Sequence, residues 1–247
     1  MIKQIIEEYK KGKSRYAIES EYGIESHKMK RILEENGVKV RGKKQKKYDE
    51  KVFDIIDTEE KAYWLGFLYA DGYNGDTLEI SLKESDKEHL EKFKRFLRSD
   101  IPIAHRTKTK AVRFSMKSKY LQDRLRELGV VRNKSLILTF PKFLREDLTR
   151  HFIRGYFDGD GCISIRSRGK QEGQVRVNLL GTEKFLLDLL EFIQIDCNIH
   201  RKSNNKAYHF ELSGKKAIEF IDLMYSESSI CLHRKGLLAN AVLQRDL

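Results

Sequence analysis

Two stretches decide the fold: YWLGFLYADG at residues 63–72 and FIRGYFDGDG at residues 152–161. They are two copies of one pattern, and each sits at the end of a run with helical spacing. Leu65, Leu68 and Tyr69 fall on one side of the first helix, and Ile153, Tyr156 and Phe157 on the same side of the second. Gly66 and Ala70 are four residues apart, as are Gly155 and Gly159. Small residues at this spacing let two helices approach backbone to backbone. Each run stops at an Asp-Gly step, where a glycine in the left-handed conformation is expected to end the helix. Crossing the helices at their small residues brings Asp71 and Asp160 side by side.

That placement has a cost. Two carboxylates repel, and each lies at the negative end of a helix dipole. A positive partner has to offset this, and oxygen ligands select hard cations, Mg²⁺ before others. Ordinary polar capping of two helix ends is the alternative reading.

Outward from each copy the chain alternates. Leu78, Ile80 and Leu82 interleave with polar residues, as do Val112, Phe114 and Met116 in the first half. Ile163 and Ile165, then Val175, Val177 and Leu179, then Tyr208, Phe210 and Leu212 do the same in the second. Period-two strands have a dry face for packing on helices and a wet face. Here the wet face is rich in donors for base edges and phosphates. Lys83, Arg106, Lys108, Lys110 and Arg113 are candidate DNA contacts in the first half. Arg166, Arg168, Arg176, Asn178, Arg201 and Lys202 are candidates in the second. Residues 101–119 hold six Lys or Arg and no acid. Carboxylates holding metal beside a basic sheet suit phosphodiester hydrolysis, in which metals activate water and stabilise the leaving oxygen.

These residues carry a family resemblance. Trp64–Gly72 and Ile153–Gly161 resemble the two LAGLIDADG motifs of single-chain homing endonucleases, the enzymes of intron homing and other mobile genetic elements. The stretch LGVVRNKSLILTFP (residues 128–141) resembles that family's junction between repeats. The resemblance covers roughly residues 55–245. It implies an α/β fold of two pseudo-symmetric αββαββα repeats with saddle-shaped antiparallel sheets over the DNA major groove. It also implies that Asp71 and Asp160 are the metal-binding acids, with Gly72 and Gly161 beside them at the metal. The implied cofactor is Mg²⁺, or another divalent cation such as Mn²⁺ or Ca²⁺. A secondary acid two residues earlier is present only once, as Asp158 against Tyr69. Among catalytic residues, Lys117 matches a lysine near the family's metals and Glu84 a polar residue there; their expected counterparts are Ser213 and Leu180. An ordinary phosphate contact is the alternative role for Lys117.

Composition agrees with a polyanionic partner. The 247 residues carry a net charge of +12, with 35% charged and 40% hydrophobic residues, enough for a real core and for nucleic acid outside it. Cys162, Cys197 and Cys231 lack metal-ligand spacing, so a zinc site is not expected. The first residues lack a signal-peptide core and no apolar run reaches membrane length. A cytoplasmic (bacterial or phage) or organellar setting without a membrane partner is expected.

The front of the chain reads as a small all-α module. Ile2, Ile5, Ile6 and Tyr9 have helical spacing. Ser14 is an expected N-cap, with Tyr16, Ile18 and Tyr22 as core candidates. Gly23 breaks that helix, Ser26 opens another with Met29, Ile32 and Leu33 on its apolar face, and Asn36-Gly37 ends it. YGIESHKMKRILEENGVKVR (residues 22–41) resembles the homeodomain-like helix-turn-helix of recombinases and phage regulators, departing from it at Glu19. Lys28, Lys30 and Arg31 are its candidate DNA contacts. Residues 39–47 hold six basic residues and no acidic one. They read as a solvated linker or as a DNA-tracking arm through Arg41, Lys43 and Lys44. The expected divisions are 1–42 for the module, 43–54 for a basic linker, and 55–140 and 141–247 for the two repeats.

Both motifs lie in one chain, so a monomer on an asymmetric double-stranded DNA site is expected. Three rival readings are a non-cleaving transcription regulator on the same scaffold, an RNA maturase, and a recombinase-like protein led by the front module. Intact motif acids count against the first, and the lack of any recombinase catalytic motif against the last.

Overall fold

The computed structural model describes residues 1–41, 47–134, 137–169, 171–202 and 207–244. Lys43 and Lys44 lie outside these. Two compact units divide between Gln45 and Lys46.

In the first unit, α1 (Ile2–Lys10), α2 (Arg15–Tyr22) and α3 (Ser26–Glu35) enclose a core of Ile5, Tyr9, Ile18, Met29 and Leu33. Ser14 caps α2 by accepting from the Ala17 amide at 3.1 Å, and Gly23 ends it at φ +61°. That left-handed value is the one glycine adopts without strain. Tyr16, expected in the core, is 80% exposed. It stands two positions from Ile18, the residue that α2 buries, and so on the opposite side of the helix.

The second unit contains two repeats. The first runs α4 (Glu59–Asp71), β1 (Gly72–Asn74), β2 (Leu78–Lys83), α5 (Lys87–Phe96), β3 (Ala104–Arg106), β4 (Ala111–Met116) and α6 (Lys119–Glu127). The second runs α7 (Glu146–Asp160), β5 (Gly161–Ile165), β6 (Val175–Gly181), α8 (Glu183–Ile193), β7 (Ile199–Arg201), β8 (Tyr208–Ser213) and α9 (Lys215–Tyr225), followed by α10 (His233–Leu243). Each repeat is thus αββαββα. Its four-stranded antiparallel sheet has the order β1-β2-β4-β3 or β5-β6-β8-β7.

One continuous core joins the repeats, with α4 and α7 at its centre. Every residue of α4 from Ala62 to Ala70 is buried. A helix apolar all round is a core helix, and this one takes no solvent face because α7 and the first repeat's own elements cover it. The alternation read from the sequence holds: Leu78, Ile80, Val112, Phe114, Val177, Leu179 and Phe210 are buried, with polar neighbours outward.

Residues 47–54, expected to be linker, are docked on the first repeat. The Asp49 amide donates to the Leu97 carbonyl at 2.8 Å, and Phe53 is fully buried.

Candidate functional site

The site is built by the crossing of α4 and α7. A Cβ on Gly66 would stand 2.0 Å from the Phe152 carbonyl oxygen, and one on Gly155 1.9 Å from that of Tyr63. No larger residue fits at either position. Near the helix ends, a Cβ on Gly159 would lie 2.3 Å from the Ala70 Cβ and 3.4 Å from an Asp71 carboxylate oxygen. The glycine and alanine therefore seat the end of one helix against Asp71 of the other.

The helices do not end as expected. Gly72 (φ −76°, ψ 135°) and Gly161 (φ −94°, ψ 167°) are extended, not left-handed. The chain runs straight from each helix into a strand, so no reversing turn forms. Glycine is needed there for space. A Cβ on Gly72 would lie 2.5 Å from the Leu68 carbonyl oxygen, and one on Gly161 would lie 2.1 Å from the Phe157 ring.

Among the described residues, neither the Asp71 nor the Asp160 carboxylate accepts a side-chain or backbone hydrogen bond. Asp71 reaches the surface, but dense surroundings rather than surface access set its titration. Burial, then the Asp160 charge, push its pKa up to about 6 from 3.8. Burial also raises Asp160, against the pull of Lys134 and Lys235. A cavity of about 260 Å³ opens beside Asp160, lined by Tyr69, Ala70, Lys134, Tyr156 and Thr182 among others.

The two lysines are related by the internal symmetry. Lys134 Nζ donates to the carbonyls of Leu68 (2.9 Å) and Gly72 (2.5 Å), at the end of α4. Lys235 Nζ donates to those of Phe157 (2.5 Å), Asp158 (2.9 Å) and Gly161 (2.5 Å), at the end of α7. Each ammonium sits where helix carbonyls concentrate partial negative charge. Burial lowers both lysines to about 8, against the attraction of nearby carboxylates.

Neither lysine was anticipated from the sequence. Each lies in the segment after the last helix of its repeat, in RNK (132–134) and HRK (233–235). Pairing those two segments would have exposed them. Gly72 and Gly161, expected at the metal, present their carbonyls to these ammonium groups.

Lys117 and Glu84 lie on opposite sides of the Gly72 row of the sheet. Gly72 pairs with Ile80, and Ile80 with Phe114. Lys117 is three residues beyond Phe114, toward the Asn74 end of the sheet, so about 10 Å along the strand from the Gly72 row. Its carbonyl accepts from Tyr48 Oη at 3.0 Å. Glu84 lies past the other end of β2, 3.1 Å from His105 Nδ1. Register also corrects its counterpart. Gly161 pairs with Leu179, so Glu84 matches Glu183 rather than Leu180, while Lys117 does match Ser213.

Asp158 is a buried hub rather than an open acid. It is 1% exposed and accepts from Tyr63 Oη (2.7 Å), Tyr225 Oη (2.6 Å) and the Leu232 amide (2.6 Å). Tyr63 Oη lies 3.0 Å from His89 Nε2, which completes a line of polar groups from α5 to α9. Because Tyr63 gives its proton to Asp158, His89 must donate at Nε2. Burial holds His89 neutral, with its pKa lowered to about 3. Tyr69, at the equivalent position, instead donates to the Leu128 carbonyl at 2.5 Å.

Most predicted DNA contacts lie on exposed or half-exposed strands and loops. Lys83, Arg106, Lys108, Lys110, Arg166, Arg168, Arg201 and Lys202 are exposed, and Asn178 is half-buried. Arg113 pairs with Glu79 at 3.1 Å, and Arg176 pairs with Glu211. On α3, Lys28, Lys30 and Arg31 are exposed and pair with glutamates of their own helix or its cap. Arg41 is engaged elsewhere. Its guanidinium donates to the carbonyls of Tyr9 (2.9 Å) and Lys13 (2.5 Å) and stacks 4.0 Å from the Tyr9 ring centroid. It closes the first unit, so its role as a free arm contact is revised.

A family model described as a LAGLIDADG-like domain matches residues 147–222. Two proteins of Methanocaldococcus jannaschii are similar in sequence. One is an uncharacterized protein, 27% identical over 192 residues, with 72% of each chain covered. The other is a glutamine–fructose-6-phosphate aminotransferase, 26% identical over 176 residues; the match spans 68% of this chain and 16% of that enzyme. Among solved structures, the I-LtrWI LAGLIDADG homing endonuclease bound to target DNA matches with a TM-score of 0.53 and 16% identity, covering 76% of this chain and 91% of that one. The meganuclease I-SmaMI bound to uncleaveable DNA matches with a TM-score of 0.54 and 11% identity, covering 74% and 87%. The second repeat is similar to a LAGLIDADG-like domain, and the chain has the fold of these LAGLIDADG homing endonuclease structures.

Among the described residues, no helix is long and apolar enough to cross a membrane.

Proposed function

We propose that the chain is a site-specific endonuclease that cuts both strands of duplex DNA with the help of a divalent cation, working as a monomer on an asymmetric site. One observation carries the reading: Asp71 and Asp160, which accept no hydrogen bond among the described residues, stand at the adjoining ends of the crossed helices α4 and α7, where each helix enters a sheet of a basic chain. The donor set fits a hard cation. Oxygen ligands are offered, burial and mutual repulsion hold Asp71 near a pKa of 6, and a cation relieves both costs. No third His, Cys, Asp or Glu joins the pair among the described residues. A cation held by Asp71 and Asp160 would leave room for DNA phosphate oxygens and water, a donor set that suits Mg²⁺, with Mn²⁺ or Ca²⁺ as substitutes.

When bound, the cation supplies Lewis-acid charge at the scissile phosphate. The chain's own groups do the rest. Asp71 and Asp160 bind and centre the cation. Lys134 and Lys235 pin the ends of α4 and α7, which fixes the carboxylates, and add positive charge where phosphoryl charge develops. The exposed basic residues of the strands and of α3 hold the backbone, and the first unit acts as a helix-turn-helix.

The test is selection of bound duplex from a randomised pool, followed by incubation with Mg²⁺ or a chelator. Double-strand breaks at a fixed position in Mg²⁺ alone are expected. Tight binding with no cut in any divalent cation would replace the reading with a DNA-binding regulator.

A further inference from the structure

The site is nearly two-fold symmetric, and one basic group breaks that symmetry. Lys134 is preceded by Asn133, whereas Lys235 is preceded by Arg234. Arg234 lies in the first turn of α10, and its Nε is 3.2 Å from Asp86 Oδ2. The Asp86 side chain is only 9% exposed and belongs to the turn after β2. An arginine of the second repeat is thus anchored on the first.

The Arg234 side chain itself is 55% exposed. Among the described residues, its terminal nitrogens make no hydrogen bond. Anchored on Asp86, the extra positive group belongs to the repeat that carries Asp71.

A guanidinium held at Nε by a nearly buried carboxylate presents its two terminal nitrogens as a fixed fork. That fork matches two phosphate oxygens, and its anchoring reduces the entropy cost of binding them. Asn133 is short and neutral, so the matching position of the other half-site carries no guanidinium.

We propose that Arg234 contacts the phosphate backbone of one DNA strand only, so that the two half-sites are unequal and cleavage passes through a nicked duplex. The nicked duplex rests on the nuclease reading above; the one-strand contact does not.

The test uses the full chain and a duplex selected by the wild-type protein, with binding measured in Ca²⁺. Arg234→Gln should lower the slope of log affinity against log salt by about one unit. Neutral methylphosphonates at the central phosphates of one strand should erase the difference between wild type and variant. The same substitution in the other strand should leave the difference intact. Under Mg²⁺ with each strand labelled, Arg234→Gln should slow one strand about tenfold or more relative to the other and accumulate nicked duplex. Asp86→Ala, which keeps the arginine but removes the anchor at Nε, should give a smaller loss on the same strand.

An unchanged salt slope overturns the phosphate contact. Equal sensitivity to substitution in both strands overturns the one-strand assignment. If the wild type binds but cuts neither strand, the nuclease reading falls, and the salt slope and the methylphosphonates still decide the role of Arg234.

Discussion

Gly155 faces the carbonyl oxygen of Tyr63 so closely that a Cβ on the glycine would stand 1.9 Å from it. Gly66 faces Phe152 in the same way at 2.0 Å. The obstacles are backbone atoms of the facing helix, which no rotamer change can move aside. Gly155→Ala should therefore force α4 and α7 apart and destabilise the second unit by about 3 kcal/mol or more, at the upper end of overpacking costs. Chemical denaturation of the variant checks this. Wild-type stability would mean that the helices are not in backbone contact.

The crossing was legible because it depends on local pattern. Gly66, Ala70, Gly155 and Gly159 stand at fixed spacing, and strands such as Leu78–Lys83 show period two. The ends of the helices were not legible in the same way. Gly72 and Gly161 look like helix-ending glycines, yet strand pairing extends them, and their lack of a Cβ makes room for Leu68 and Phe157. The lysines were hidden by distance. Lys134 and Lys235 act on helix ends more than sixty residues earlier in the chain, and only the fold brings them there. Lys117 matches the family's lysine by strand register, and pairing of Met116 with Leu78 sets it three residues from the row that holds Gly72.

Lys134→Met should act on chemistry and folding together. It leaves the Leu68 and Gly72 carbonyls without their ammonium donor, at a cost of about 1–3 kcal/mol. It also removes a charge that holds Asp71 down, so the Asp71 pKa should rise above its present value of about 6. Carboxyl chemical shifts followed against pH, with a thermal melt on the same sample, check both effects. An unmoved Asp71 titration would place Lys134 outside the site.

The raised carboxylate has a consequence for stability. The fold favours protonated Asp71, so without a divalent cation its contribution is greatest at acid pH and is lost as pH rises from 3.8 through about 6. The lowered lysines work in the opposite sense. Their contribution is full above 10.5 and is lost as pH falls through about 8. A cation between the carboxylates offsets the first effect. Mg²⁺ should raise the melting temperature by roughly 2–4 °C near pH 7.5, equivalent to about 1 kcal/mol after solvent screening, and by nothing near pH 5. An Mg²⁺ shift of equal size at both values would locate the cation away from Asp71.

Deleting residues 1–47 removes fourteen Lys or Arg and seven Asp or Glu. The truncated chain keeps both repeats, so some cleavage should survive, with weaker binding and a shallower salt dependence. The slope falls by about one unit for every phosphate that the shortened chain no longer neutralises. Unchanged affinity and slope would mean that the first unit does not touch DNA.

The most direct measurement compares Asp71→Asn and Asp160→Asn with the wild type for DNA binding, double-strand cleavage and melting temperature on the same preparations. Asparagine keeps the shape but not the charge that holds a cation, and it relieves the repulsion between the helix ends. Both variants should bind within a few-fold of wild type, melt at an unchanged or slightly raised temperature, and make no double-strand cut. A variant that binds and still cuts both strands at the wild-type rate would contradict the assignment of these aspartates as the cation's ligands.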